Sequence, residues 1–347
     1  MKRIFFVGIF GLLVCCKTVD GRDSASKSPP AGRRAVDKKT PKKCLKIVDG
    51  VPALDAPAVY LLVLTDVASG NVTSSCTGTF VSDNTLITAG HCVPAAGEKY
   101  VLLATNGLEL SKDGKAPAGA ITPLKAFFDP SLSVNGRGGR DLGPNQSPEV
   151  DLAVLIFPDN TAKYWLPLAN TTIPAGTEVK LVGYGSSHAI YPEKDKSTSV
   201  KKMMGFNKIA PTASIKGNLP TNGLLFTFAW GEPGEAAKHG EKTASGAPGD
   251  SGGPLIANGV IVGTVSRGIT SKEVTSLEQQ IGTNTLDIFV DVTNAVAKSL
   301  LAKAKAAGAR INYANPATHV ETKPEGDPVN AAERDTEVNA KESGECS

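Results

Sequence analysis

Between residues 47 and 292 short apolar, β-branched runs alternate with clusters of Gly, Pro, Asn and Asp. The runs fall at 59–64, 79–81, 85–88, 100–103, 152–157, 179–184, 224–228, 260–265 and 288–292. Runs of this length bounded by turn residues predict strands. Their succession, with no long helix between them, predicts an antiparallel all-β architecture and argues against a doubly wound sheet. One stretch breaks the pattern. After Thr293 or Asn294, either a suitable N-cap, apolar residues recur at Val296, Leu300, Leu301 and Ala304, and Gly308 follows. Lys298, Lys303 and Lys305 lie largely off that stripe, so a helix is expected over 293–308. Residues 129–148, rich in Gly, Asn and Ser, read as a long surface loop.

The ends are built differently from the middle. Met1-Lys2-Arg3 precedes an apolar run over 4–14 and then Cys15-Cys16. A short positive region before such a run is the pattern of an export signal, assigned to 1–16. A buried first strand is the other reading, but residues 17–46 are too polar to pack beside it. Leu13-Val14-Cys15-Cys16 is similar to a bacterial lipobox, with Cys15 an unusual occupant of the small-residue slot. Either Cys16 is lipidated and anchors the chain to a membrane, or the chain is simply secreted. Both outcomes place it outside the cytoplasm or at the cell envelope.

Charge sharpens this division. Residues 17–46 carry ten Lys and Arg against three Asp, and read as a basic linker or pro-segment. Residues 315–347 carry eight acidic groups against three basic ones and few large apolar side chains, so disorder is expected. The net charge of +3 hides this gradient and leaves the middle near neutral, which excludes a nucleic-acid footprint across it. An apolar share of 41% supplies a core and excludes a wholly disordered chain. No apolar run reaches the roughly 20 residues of a membrane span, which excludes a polytopic membrane protein.

Three stretches carry candidate chemistry. Gly249-Asp250-Ser251-Gly252-Gly253-Pro254 brackets a serine with glycines, whose backbone turns tightly and lets the Gly249 and Ser251 amides point at a developing oxyanion. Thr88-Ala89-Gly90-His91-Cys92 sets a histidine after a β-branched strand. Glu149-Val150-Asp151-Leu152 sets an aspartate before a buried one. A serine hydroxyl needs a base within hydrogen-bond reach, and the base needs a partner that fixes its tautomer. His91 and Asp151 are the candidates. His188, His239 and His319 read as ordinary surface or core groups. No Cys and His cluster has zinc spacing, and no metal or cofactor is expected.

In that order, TAGHC, DLAVL and GDSGGP resemble the chymotrypsin family of trypsin-like serine endopeptidases, over roughly 47–308. The resemblance implies two antiparallel six-stranded β-barrels, the first about 47–165 and the second about 175–292, followed by the helix at 293–308. It implies His91, Asp151 and Ser251 as a catalytic triad in the cleft between barrels, with Gly249 and Ser251 forming the oxyanion hole. Protein or peptide substrates and a monomeric enzyme are expected. Lys46-Ile47-Val48-Asp49-Gly50 resembles the family's activation site, where an activating protease would cut after Lys46 and free Ile47 to pair with Asp250. A plain surface strand after a basic linker is the other reading. Cys76 and Cys92 match the family's bridge beside the histidine. Cys44 and Cys346 then pair with each other or remain free or intermolecular thiols.

The resemblance weakens at the specificity pocket. It places Ser245 at the base, where trypsin-like members carry aspartate, and Ala247 where a cysteine is usual. Ser266-Arg267-Gly268 matches the strand that pairs with the substrate backbone, with Ser266 implied to bond Asp151 and Arg267 altering the next subsites. Asp287 falls on the pocket wall, where it could recruit Arg or Lys; apolar specificity is the rival. A catalytically inactive family member acting as an extracellular binding module is the alternative function, although such a module has no need for GDSGGP. An esterase or amidase acting on small substrates is a third reading of the same triad.

Overall fold

A computed structural model describes residues 47–53, 55–94, 97–106, 115–129, 132, 151–189, 201–215, 221–238, 240, 242–270 and 285–321. The signal at 1–16 with Cys16, the linker at 17–46 with Cys44 and Lys46, His239, most of the 129–148 loop, and 322–347 with Cys346 lie outside the described residues.

The described chain starts at β1 (Val51–Pro52) and then builds a first sheet from β2 (Val59–Asp66), β3 (Val72–Phe80), β4 (Thr85–Thr88), β5 (Tyr100–Thr105), β6 (Lys125–Phe127) and β7 (Ala153–Ile156). Its order is β5-β2-β3-β4-β7-β6, with every pair antiparallel. The stretch leading into β6 closes the ring. Ile121 and Ala104 of β5 exchange two backbone bonds (2.8 and 2.9 Å), while Leu124 N donates to Ile156 O of β7 at 2.7 Å.

The second sheet contains β8 (Leu168–Ala169), β9 (Glu178–Gly183), β10 (Met203–Lys208), β11 (Leu224–Ala229), β12 (Pro254–Ala257), β13 (Val260–Thr270), β14 (Thr285–Asp291) and β15 (Tyr313–Ala314), together with β1. Its main path runs β1-β10-β9-β12-β13-β14-β11. Closure comes where Ala210 N donates to Phe226 O (2.8 Å) and Asn207 Nδ2 to Phe228 O (3.0 Å). Six of these nine strands are long. The three others, β1, β8 and β15, have two residues each, too few to leave an alternating pattern in a sequence, and β8 pairs in parallel with β13 and β15.

Strand β2 explains why the apolar runs look continuous. Leu62 and Leu64 point into the first barrel with Phe80, Leu86 and Phe157. Val59, Leu61 and Val63 point the other way, packing with Val182, Tyr184 and Ile256 of the second sheet. A strand buried on both faces has no polar side to show. Helix α1 (Glu235–Lys238) is a single turn. Helix α2 (Ala295–Ala306) is capped by Asn294, whose Oδ1 accepts from Ala297 N at 2.7 Å, and buries Ala297, Leu301 and Ala304. After α2 the chain stays attached through 315–321: Asn258 Nδ2 donates to Pro316 O (2.8 Å), and Glu321 lies 3.4 Å from Lys180. No helix among the described residues is long and apolar enough to cross a membrane.

Candidate active site

The antiparallel register of β4 and β7 pairs Thr88 with Ala153. Residues just after 88 and just before 153 therefore emerge at the same end of the sheet. His91 sits there on a one-turn 3₁₀ segment, Gly90–Cys92, and Asp151 faces it, fully buried. His91 Nδ1 lies 2.9 Å from Asp151 Oδ2 and 3.1 Å from Oδ1, and His91 N donates to Oδ1 at 2.9 Å. An ionised carboxylate only accepts, so this contact places the ring proton on Nδ1 and leaves Nε2 as the basic nitrogen. Ser266 of β13 donates to Oδ2 at 2.6 Å, the bond expected of it. Burial by itself raises the Asp151 pKa, but the charge of His91 and the bonds from His91 and Ser266 outweigh it and hold the carboxyl below its usual range.

Ser251 arrives from the second sheet on the turn before β12. Gly249 sits at φ +101°, in the region side chains avoid. At Gly252 a Cβ would lie 2.0 Å from Thr88 Oγ1 and 2.4 Å from Thr77 O, so only glycine lets this turn approach the first sheet. The contact holds Ser251 beside the histidine turn: Thr77 N donates to Ser251 O (2.8 Å), and Cys92 Sγ lies 3.8 Å from that oxygen. Cys92 is bonded to Cys76, the expected bridge. The sulphurs of Cys76 and Cys92 and a nitrogen of His91 lie within 4.8 Å of one another. With the two sulphurs joined, this group is a disulfide beside an imidazole and not a ligand set.

The hydrogen-bonded line is complete from Ser266 through Asp151 to His91. Its last link is not made, because Ser251 Oγ has no hydrogen bond among the described residues. Such links often tighten only when substrate binds. Among the described residues the amides of Gly249 and Ser251 also donate to no protein acceptor.

Ser245, Gly268 and Asp287, expected from the sequence at a specificity pocket, lie together as well. Asp287 is buried; Ser245 Oγ donates to its Oδ1 (3.1 Å) and Gly246 N to its Oδ2 (2.9 Å). Gly268 is its cross-strand partner on β13 and Thr227 its partner on β11. Burial pushes the Asp287 pKa up to about 7, against the pull of the bonds from Gly246 and Ser245. The side chain of Thr227 is fully buried, and its hydroxyl is among the groups that pull the Asp287 pKa down. Sequence reading missed it, because only the register β11 shares with β14 brings it beside Asp287.

Among the residues expected to form an activation site, Ile47 is 1% exposed and sits at φ +49°. Val48 and Ser245 exchange backbone bonds of 3.0 and 3.2 Å. Asp49 Oδ1 accepts from Gly234 N at 2.6 Å, which gives an acidic residue a use at that position. Asp250 is buried and accepts from Gly185 N (2.7 Å) and Ala247 N (2.9 Å). Of the other histidines, His188 bonds Ser187 Oγ through Nδ1 (2.9 Å), and His319 lies in the segment that follows β15.

A family model described as Trypsin matches residues 62–295. "Trypsin Blo t 3" of Blomia tropicalis is 27% identical over 229 residues, covering 64% of this chain and 76% of that protein. "Cercarial protease" of Schistosoma mansoni is 28% identical over 205 residues, covering 56% of this chain and 71% of that protein. Among solved structures, mouse neuropsin, described as a serine protease expressed in the limbic system, superposes with a TM-score of 0.50 at 16% identity. The match covers 75% of this chain and 100% of that one, and at this identity it speaks for the fold.

Proposed function

Because the chain belongs to the trypsin family of serine endopeptidases, we propose that it cleaves peptide bonds of protein substrates with Ser251 as nucleophile, His91 as base and Asp151 as orienting carboxylate. The observation that carries this reading is the buried His91–Asp151 pair, held by Ser266 and set at the end of the sheet against which the Ser251 turn is pinned.

Ser251 Oγ attacks the scissile carbonyl carbon while its proton passes to His91 Nε2. Asp151 stabilises the imidazolium that forms. The carbonyl oxygen, now an anion, takes the amides of Gly249 and Ser251; losing one such donor costs about 10²–10³ in kcat in comparable enzymes. His91 returns the proton to the leaving amine, which departs and leaves an acyl-enzyme. Water, deprotonated by His91, then releases the acid and regenerates Ser251.

Asp287, a buried carboxylate beside Ser245 and Gly268, supports selection of Lys or Arg at the cleavage position. Cleavage after Lys46 would give Ile47 an ammonium to pair with Asp250, a buried carboxylate that accepts from Gly185 N and Ala247 N. Exported protein, with the 1–16 leader removed or lipidated at Cys16, is consistent with Cys76–Cys92 remaining oxidised.

Two measurements test the proposal. Peptide hydrolysis should fall by at least about 10⁴ in Ser251→Ala and in His91→Ala; either variant retaining the wild-type rate rejects the assignment. N-terminal sequencing of the active protein should begin Ile47-Val48-Asp49-Gly50; a start upstream of Lys46 rejects activation by cleavage.

A further inference from the structure

Thr77 follows Cys76 on β3, and its side chain is fully buried. Its polar groups reach outside its own strand. Thr77 N donates to Ser251 O (2.8 Å), and Thr77 O accepts from Thr88 Oγ1 (2.8 Å). The hydroxyl accepts from Tyr184 N, just past β9 (3.1 Å), and donates to Gly249 O (2.9 Å). One residue of the first sheet thus holds the carbonyls of Gly249 and Ser251, the two residues whose amides are proposed to bind the oxyanion.

The neighbouring peptides are held separately. Pro248 O accepts from Ser186 N (2.8 Å), and Asp250 O accepts from Gly253 N (2.8 Å). Because a peptide is planar and trans, fixing its carbonyl also fixes the direction of its N–H. The Ser186 and Gly253 bonds therefore aim the Gly249 and Ser251 amides. The peptides on the far side of each residue are held from within the second half of the chain, where Asp250 N donates to Ala247 O (2.9 Å) and Gly252 N to Val265 O (2.7 Å). The two Thr77 bonds take the carbonyls of these same peptides and tie them to the first sheet.

We infer that Thr77 is a positioning residue for catalysis: its hydroxyl and amide brace the 249–251 turn from the opposite sheet so that both oxyanion donors stay aligned. The brace also registers the nucleophile against the base, since Cys76, the residue before Thr77, is bridged to Cys92, the residue after His91. The inference rests on the proposed role of Ser251.

Thr77→Val keeps the shape and removes the hydroxyl, whereas Thr77→Ser keeps the hydroxyl. With rates normalised to folded protein, Thr77→Val should lower kcat about tenfold, leave KM within about twofold, and weaken a peptide aldehyde inhibitor by the same factor as kcat. Thr77→Ser should restore all three values. If Thr77→Val does not accumulate, Thr77→Ala removes the same hydroxyl and carries the same expectation. Unchanged kcat with a lower melting temperature overturns the inference, and so do equal losses in the Val and Ser variants, which would mark a packing role. An active wild type with an equally active Thr77→Val sinks this inference alone; an inactive wild type sinks the reading of Ser251 along with it.

Discussion

Ser266 Oγ donates to Asp151 Oδ2 at 2.6 Å, joining a strand of the second sheet to the carboxylate that orients the histidine of the first. The bond helps keep a fully buried carboxyl ionised. Ser266→Ala leaves the three His91 contacts in place but strips one charge-assisted donor. Such bonds contribute about 1.5–3 kcal/mol, so kcat/KM should fall by about tenfold or somewhat more. Steady-state kinetics on a peptide substrate checks this, and an unchanged rate contradicts it.

Asp287 should govern both which substrates are cut and at what pH. Its carboxyl titrates near 7, so above that it presents a charge to Lys or Arg and below it a neutral acid. KM for an Arg substrate should rise up to about tenfold per pH unit as pH falls below 7, while KM for a Phe substrate stays flat over the same range. Asp287→Ser should abolish the preference for Arg over Phe. An unchanged Arg-to-Phe ratio in that variant contradicts the assignment.

The same residue leaves a mark on stability. An unfolded aspartate titrates near 3.9 and folded Asp287 near 7, so between these values the native state keeps a proton that the unfolded state has lost. Its contribution to stability therefore declines as pH rises through that window and levels off above it. The shift bounds the effect at about 4 kcal/mol. Asp287→Asn can keep an acceptor for Gly246 N while turning its amide towards Ser245 Oγ, and it removes the slope. Urea denaturation at about pH 4.5 and about pH 7.5 should show the variant gaining on wild type at the higher pH. Equal differences at the two values contradict the burial argument.

What could be read in the sequence was whatever is local. The helix announces itself through the Asn294 cap and an apolar stripe expected at Val296, Leu300, Leu301 and Ala304, all within its own segment, although the structure buries Ala297 with Leu301 and Ala304 and leaves Val296 exposed. The residues of GDSGGP, TAGHC and DLAVL are short-range patterns too. Strand β10 is the opposite case. Its buried positions are Met203, Gly205 and Asn207, and its exposed ones include Phe206 and Lys208, so polarity runs against the usual rule. Gly205 is small because Ala244 and Ile47 press against it; Asn207 is buried because Phe228 O and Ala244 O take its amide. Neither reason exists until distant strands have met. Strand β12 was hidden for another cause: it begins at Pro254, inside the serine motif itself. Thr77 matters through a contact between the two sheets and Thr227 through cross-strand register within the second, neither of which spacing along the chain encodes.

The most direct test of the account is covalent labelling of the mature protein with a fluorophosphonate, read by peptide mass spectrometry. Only a serine with an activated hydroxyl and formed oxyanion donors reacts at an appreciable rate. The account requires one adduct on Ser251, lost in Ser251→Ala and strongly slowed in His91→Ala. Folded protein that takes up no label, or carries it on another serine, would contradict the assignment of Ser251 as nucleophile.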